Sequence, residues 1–228
     1  MKKILYFIPF VLVGAFIFWF INTLTVGGII CESQYGYCND TTSHFLNTLE
    51  GKNYFKTKRE INKYLKANCL VKESSLQYKF PNIIHARLVE RKPLYALKTG
   101  ENSFYQISGD GVVLGKTESS GLPFVENAAI DLPLGSYVNQ DLSFSLKILR
   151  YLNLIFGING GYLKETGVEF RIQDGPLVIF PKNGDSDILI GALRLIVQNV
   201  SQPNWEYSLV KPYNKITIDL RYRNPVIR

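Results

Sequence analysis

The sequence predicts an α+β protein with an N-terminal transmembrane helix, a β-α-α-β-β domain, and a mixed α/β domain with a predominantly antiparallel sheet. Three observations carry this expectation. From Ile4 to Cys31 the 228-residue chain has no charged residue, whereas all 19 acidic and 24 of the 26 basic residues lie from Glu32 onward. Beyond that run, apolar residues recur at i, i+4 in some segments and at i, i+2 in others, the periods of helix and strand. Glycine, proline and asparagine punctuate these segments at short intervals. The mean hydropathy of zero is therefore a composite.

The apolar run sets the expected topology. Ile4–Leu24 is 21 residues and reaches roughly 30 Å as a helix, the thickness of a bilayer's hydrocarbon core. Lys2 and Lys3 precede it, which orients the N-terminus to the cytoplasm and the remainder outside. A cleaved signal peptide shares the positive start, but Trp19, Phe20 and Ile21 occupy the region where small residues would mark cleavage. The segment has no polar face, unlike the surface helix of a soluble core. The expected organisation is a cytoplasmic tail at 1–3, an anchor at 4–24, a first domain at 25–98 and a second at 99–228.

Composition excludes several functional classes. With 46% apolar and 13% aromatic residues the chain is not disordered, and three cysteines are too few for a disulfide-dense scaffold. The formal charge of +7 falls to +5 after the apolar run, which is too dilute for a dedicated nucleic-acid binder. Cys31 and Cys38 either close a small loop in an oxidising space or remain two thiols. Their spacing is not that of a zinc or redox motif and only His44 is nearby. Cys69 is left over and is expected to pack in a core.

In the first domain, residues 25–30 suit a strand. Asn39 or Asp40 is placed to cap a helix carrying Phe45 and Leu49, and Gly51 to stop it. Thr57 and Glu60 have capping-box spacing ahead of Ile61 and Leu65. Leu76, Tyr78 and Phe80 alternate before Pro81-Asn82, and Ile84, Ala86 and Leu88 alternate after it, with His85, Arg87 and Arg91 on the opposite face. In the second domain, short strands are expected at 94–98, 103–107, 112–114 and 122–125, with Gly109-Asp110-Gly111 as a hairpin turn. A helix at 140–156 carries Leu142, Leu146, Leu149, Leu152 and Phe156 on one stripe, and Gly157 ends it. Strands at 168–172 and 177–181 flank Asp174-Gly175. Asp185 or Ser186 caps a helix with Leu189, Leu193, Ile196 and Val200 on one face. A closing strand at 215–222 points Ile216, Ile218 and Leu220 one way and Thr217, Asp219 and Arg221 the other.

No catalytic constellation emerges. His44 and His85 lie without a matched nucleophile or metal-ligand spacing. Asp185 and Asp187 suit a helix N-terminus, and the glycine clusters at 109–111 and 157–161 lack phosphate-loop spacing. The expectation is a binding protein, not an enzyme, with no cofactor and no metal.

Three segments together carry a resemblance. Val89-Glu90-Arg91-Lys92-Pro93-Leu94-Tyr95-Ala96 closes the first domain. Phe104–Val113 contains Ser108-Gly109-Asp110-Gly111-Val112, and Leu122-Pro123-Phe124-Val125 follows. Ile218-Asp219-Leu220-Arg221-Tyr222 ends the last strand. In order and spacing behind an apolar anchor, these resemble the FtsQ/DivIB family of bacterial cell-division proteins, whose first extracytoplasmic domain is of the POTRA type. Ile107-Ser108 stands where that family usually has an acid, and the Cys31…Cys38 segment is not part of its pattern.

The resemblance implies a divisome scaffold that links early and late division proteins and helps control septal peptidoglycan synthesis. It implies binding to an FtsB/DivIC–FtsL-type coiled-coil pair, residence in the cytoplasmic membrane as a single-pass type II protein, and enrichment at the septum. Strand addition at the C-terminal edge is the expected mechanism, with Arg221, Tyr222, Arg223, Val226 and Ile227 as the partner-binding residues. Lys79, His85, Arg87 and Arg91 form a basic strand face for another division protein or the anionic membrane surface, or simply a solvated face. The competing expectation is a POTRA-type module in extracytoplasmic protein export or assembly. Such proteins generally carry several POTRA repeats or a membrane barrel.

Overall fold

The computed structural model describes residues 13, 19, 23–127, 131–173, 175–200 and 213–228. It is mixed α/β, with four helices and two sheets among the described residues. The expectation of an N-terminal membrane-spanning helix is corrected: among the described residues no helix is long and apolar enough to cross a membrane. Most of the expected span 4–24 lies outside the described residues. The longest described helix has 17 residues and carries Asp141, Lys147 and Arg150, the mixed face of a helix that packs against a sheet. The chain divides into two compact units, Met1–Arg91 and Lys92–Arg228.

The first unit comprises β1 (Gly28–Ser33), β2 (Gly36–Tyr37), α1 (Asp40–Asn47), α2 (Tyr54–Ala67), β3 (Val71–Lys79) and β4 (Ile83–Glu90), in the sheet order β2-β1-β4-β3. The two helices form the crossover that lets β1 run parallel to β4, from Gly28 opposite Ile83 to Ser33 opposite Leu88. β3 is antiparallel to β4. Strand alternation drives Ile84, Ala86 and Leu88 against Leu46, Leu49, Ile61 and Leu65 beneath the helices. Asn39 caps α1, its side chain accepting from the Thr42 N–H at 2.8 Å.

α2 begins a turn earlier than the Thr57–Glu60 spacing suggests. Asn53 accepts from the Phe55 and Lys56 N–H groups, while Thr57 is buried and its hydroxyl donates to the Leu49 carbonyl. A core-facing threonine cannot serve as the exposed cap, so the preceding asparagine does. Cys31 and Cys38 are joined by a disulfide with 5.5 Å between their Cα atoms. Both are buried, and the link fastens the end of the β1–β2 hairpin to the core.

The second unit holds β5 (Pro93–Gly100), β6 (Ser103–Ser108), β7 (Val113–Thr117), β8 (Phe124–Glu126), α3 (Gln140–Phe156), β9 (Gly160–Lys164), β10 (Gly167–Arg171), β11 (Leu177–Phe180), α4 (Ser186–Val200), β12 (Thr217–Asp219) and β13 (Val226–Ile227). They form one nine-stranded sheet in the order β13-β12-β11-β10-β9-β8-β5-β6-β7. The pairs β5–β8, β8–β9 and β11–β12 are parallel and the other five antiparallel. Pro93–Gly100 pairs with β6 and β8, so residues 92–98 belong with this unit.

The leucine stripe of α3 packs with Val168, Phe170, Val178, Phe180 and Ile218 in a single core. Asn139 caps the helix, and Gly157 ends it at φ 67°, a left-handed position suited to glycine. Asp185 accepts from the Asp187 and Ile188 N–H groups at the start of α4. Gly161 lies beneath Phe170, where an added Cβ would stand 2.3 Å from the ring. Asp174, half of the expected second turn, lies outside the described residues, although β10 and β11 pair as that turn requires.

Closing the eight-residue loop between Cys31 and Cys38 restricts the unfolded chain by about 2 kcal/mol on the chain-entropy account. Replacing both cysteines with serine is expected to lower the stability of the first unit by about that much. Urea unfolding with and without reductant checks it. Reductant should destabilise the wild type and leave the variant unmoved.

Candidate interaction site

The C-terminal segment begins in the core. Ile216, Ile218 and Leu220 are buried, and β12 lies between two neighbours, parallel to β11 and antiparallel to β13. The expected closing strand at 215–222 is thus shorter, and it is not the edge. Lys215 belongs to a 3-10 turn, Tyr213–Lys215, and after Asp219 the chain bends through residues 221–224 and returns as β13.

The reversal has an identifiable cause. The Asp219 carboxylate, almost wholly buried, accepts from the Arg221 backbone N–H at 3.1 Å, from Arg221 Nε at 2.9 Å and from Arg221 Nη2 at 2.6 Å. An aspartate that bonds the main chain two residues ahead competes with extended structure and favours a turn. The fork of donors from Arg221 is the main reason the Asp219 carboxyl is held below the usual carboxylate range, against the opposing effect of burial. The same contact raises Arg221. Arg221 is therefore committed to the turn, with its guanidinium carbon 5.9 Å from the centre of the Tyr222 ring.

Of the remaining expected partner-binding residues, Tyr222 and Arg223 fall on the surface side of this turn, while the Ile227 side chain packs against the core. Tyr222 is 52% exposed, Arg223 is exposed, and Val226 and Ile227 are half-buried. Thr217 and Arg228 exchange both main-chain hydrogen bonds at 2.9 Å. In an antiparallel ladder the bonded pairs alternate, so Val226 also turns its backbone toward β12 and Ile227 turns its N–H and C=O outward. β13 is short and follows Pro225, which suits an edge because proline has no donor to lose.

The basic face in the first unit is largely dismantled by the structure. His85 is only 3% exposed, which corrects its expected place on an open face. β4 is an interior strand, and Ile30 of β1 and Gln77 of β3 stand beside His85 in register. Its Nε2 lies 2.8 Å from Glu32 Oε2. Arg91 Nη1 donates to the Cys69 and Val71 carbonyls at 3.0 and 2.6 Å, so it braces the entry to β3. Lys79 and Arg87 alone among the four are exposed.

A cavity of about 250 Å³ lies between α3 and the 109–111 turn, lined by Tyr95, Ser108, Gly109, Ser143, Lys147 and Arg150 among others. Burial raises the Tyr95 hydroxyl above its ordinary range, against the opposing pull of Arg150. The i, i+3 spacing of Lys147 and Arg150 on the polar side of the α3 stripe was the available signal. No cluster of three or more potential metal ligands occurs among the described residues. Comparison of the chain with protein-family models and with curated proteins gives no match.

The fork at Asp219 makes a pH-dependent prediction. A carboxyl whose folded pKa lies below its ordinary value of 3.8 stabilises fully above that value and loses the contribution as pH falls through the folded pKa. Asp219→Asn is expected to cost about 2 kcal/mol at pH 7. The gap from wild type should narrow on acidification below the ordinary carboxylate range. Urea unfolding across a pH series checks this, and a gap constant with pH would contradict it.

Proposed function

We propose that this chain is a non-enzymatic, extracytoplasmic scaffold of bacterial cell division, of the FtsQ/DivIB kind. Its binding partner is an FtsB/DivIC–FtsL-type coiled-coil pair, and its place of action is the outer face of the cytoplasmic membrane at the septum. One observation supports this most directly. The segment that carries the family-like closing motif ends in an edge strand whose Ile227 backbone turns outward, preceded by an exposed Tyr222. An unpaired N–H and C=O at a sheet edge accept an added strand, and an aromatic side chain adds buried area at small entropic cost. The buried Cys31–Cys38 disulfide fits an oxidising compartment.

Arg221 has a different role from the one its sequence position suggests. It holds the turn that sets β13 in place, and the contact surface consists of Tyr222, Arg223, Val226 and Ile227. The reading is interaction, with the second unit as the docking platform for the coiled-coil pair and Lys79 and Arg87 as the cationic part of a separate face.

Two substitutions test the edge mechanism. Ile227→Pro removes an outward donor without touching the Thr217–Arg228 bonds, and Tyr222→Glu adds charge at the exposed aromatic. Both are expected to reduce co-purification with the coiled-coil pair at least tenfold, the scale of a hot-spot loss. Thermal unfolding should be unchanged for Tyr222→Glu, whereas Ile227→Pro also gives up packing against the core and is compared at a temperature where circular dichroism shows it folded. Depletion of the protein should give filamentous cells. Undiminished partner binding by both variants would remove the mechanism, and normal division on depletion would remove the function.

A further inference from the structure

Among the described residues the two sheets leave four edge strands: β2, β3, β7 and β13. β2 and β13 have two residues each and β7 has five, but β3 has nine. Along β3 only Val71 and Leu76 are partly buried and the rest are exposed. A strand of that length with an open side is a template for another strand unless something blunts it.

The direction of its free backbone follows from two hydrogen bonds. The Arg91 N–H donates to the Leu70 carbonyl at 2.7 Å, toward β3, and the Glu90 N–H donates to Gln34 Oε1 at 2.9 Å, on the β1 side. Alternation along β4 then turns the backbone of Ile83, His85, Arg87 and Val89 toward β3. Their register partners Lys79, Gln77, Ser75 and Glu73 turn toward β4. Ser74, Leu76 and Tyr78 are left with their N–H and C=O groups facing out.

We propose that β3 pairs with β3 of a second copy of this chain, antiparallel about a two-fold axis at Leu76. In that register Ser74 meets Tyr78 of the other copy and Leu76 meets Leu76. About six main-chain hydrogen bonds form, each between groups that face out. The side chains on the outer face select this occupant. Glu73 stands opposite Lys79 of the other copy on both sides of the axis, and Ser75 stands opposite Gln77. The edge is thus self-complementary in charge, where opposite charges directly across a strand pair favour pairing and like charges oppose it. Two four-stranded sheets become one continuous sheet. The contact is isologous, so it closes at two copies and does not propagate.

Charge reversal and cross-linking of the full chain test the register. Sedimentation velocity over a concentration series is expected to show a monomer–dimer equilibrium for the wild type. Glu73→Lys or Lys79→Glu alone should weaken the dimer about tenfold, and the two together should restore it, because the pairs are rebuilt with exchanged signs. In a Cys69→Ser background, mixing a Ser75→Cys chain with a Gln77→Cys chain should give an oxidised heterodimer, since these exposed positions face each other across the axis. A monomer at every concentration overturns the proposal. So does a dimer indifferent to the single reversals, a double reversal as weak as the singles, or failure of the mixed chains to cross-link. Thermal unfolding of the variants separates loss of pairing from loss of fold: positions 73, 75, 77 and 79 are exposed, and the half-buried Cys69→Ser change is measured alone as the reference.

Discussion

The Asp219 carboxylate decides how the second sheet ends. Flanked by Ile218 and Leu220 in the core, it is carried into the interior by a strand that has no freedom to expose it. A buried charge requires compensation, and Arg221 supplies it with three donors, one of them main-chain. Meeting that requirement bends the chain, terminates β12 and brings residues 226–227 back as its neighbour. The exposed tyrosine and the outward-facing Ile227 backbone are both consequences of this single turn.

Much of this architecture is legible in the sequence where a periodic signal and a cap coincide. The stripe from Leu142 to Leu152 with its Gly157 stop became α3, and the structure adds Asn139 as its N-cap. The alternation at Ile84, Ala86 and Leu88 became the core face of β4. What failed depends on neighbours in space. Alternation identifies the two faces of a strand but not whether the strand is interior, so His85 was expected in the open and is enclosed by Ile30, Gln77 and Glu32. Alternation continues through Arg221 and so predicts a longer β12, while a side-chain bond that ends the strand leaves no periodic trace. Arg91 belongs with the same group: its contacts to the Cys69 and Val71 carbonyls are tertiary. The membrane-spanning expectation rests on the length and apolarity of one segment and its flanking lysines, whereas no described helix is long and apolar enough to cross a membrane.

A scaffold function fits a molecule whose distinctive chemistry lies at sheet edges. The charged side chains near its core are engaged in intramolecular tasks: Asp219 with Arg221, Glu32 with His85, Arg91 with main-chain carbonyls. Outward-facing backbone groups lie at the edge strands among the described residues, and two of these, of very different length, carry the proposed contacts. The short β13 offers one residue with a flanking aromatic, which suits a partner that brings its own ordered segment. The long β3 offers alternating polar side chains of both signs, which suits a copy of itself.

The central claim is that β13 is an open edge ready to receive a partner strand, and residue-resolved amide hydrogen exchange tests it most directly. In the free chain the Val226 and Arg228 amides, both turned toward β12, should be protected while the Ile227 amide between them exchanges freely. On binding an FtsB/DivIC–FtsL-type pair, Ile227 should become protected in turn. An Ile227 amide already protected in the free chain, or one that stays exchangeable in the complex, would contradict the account.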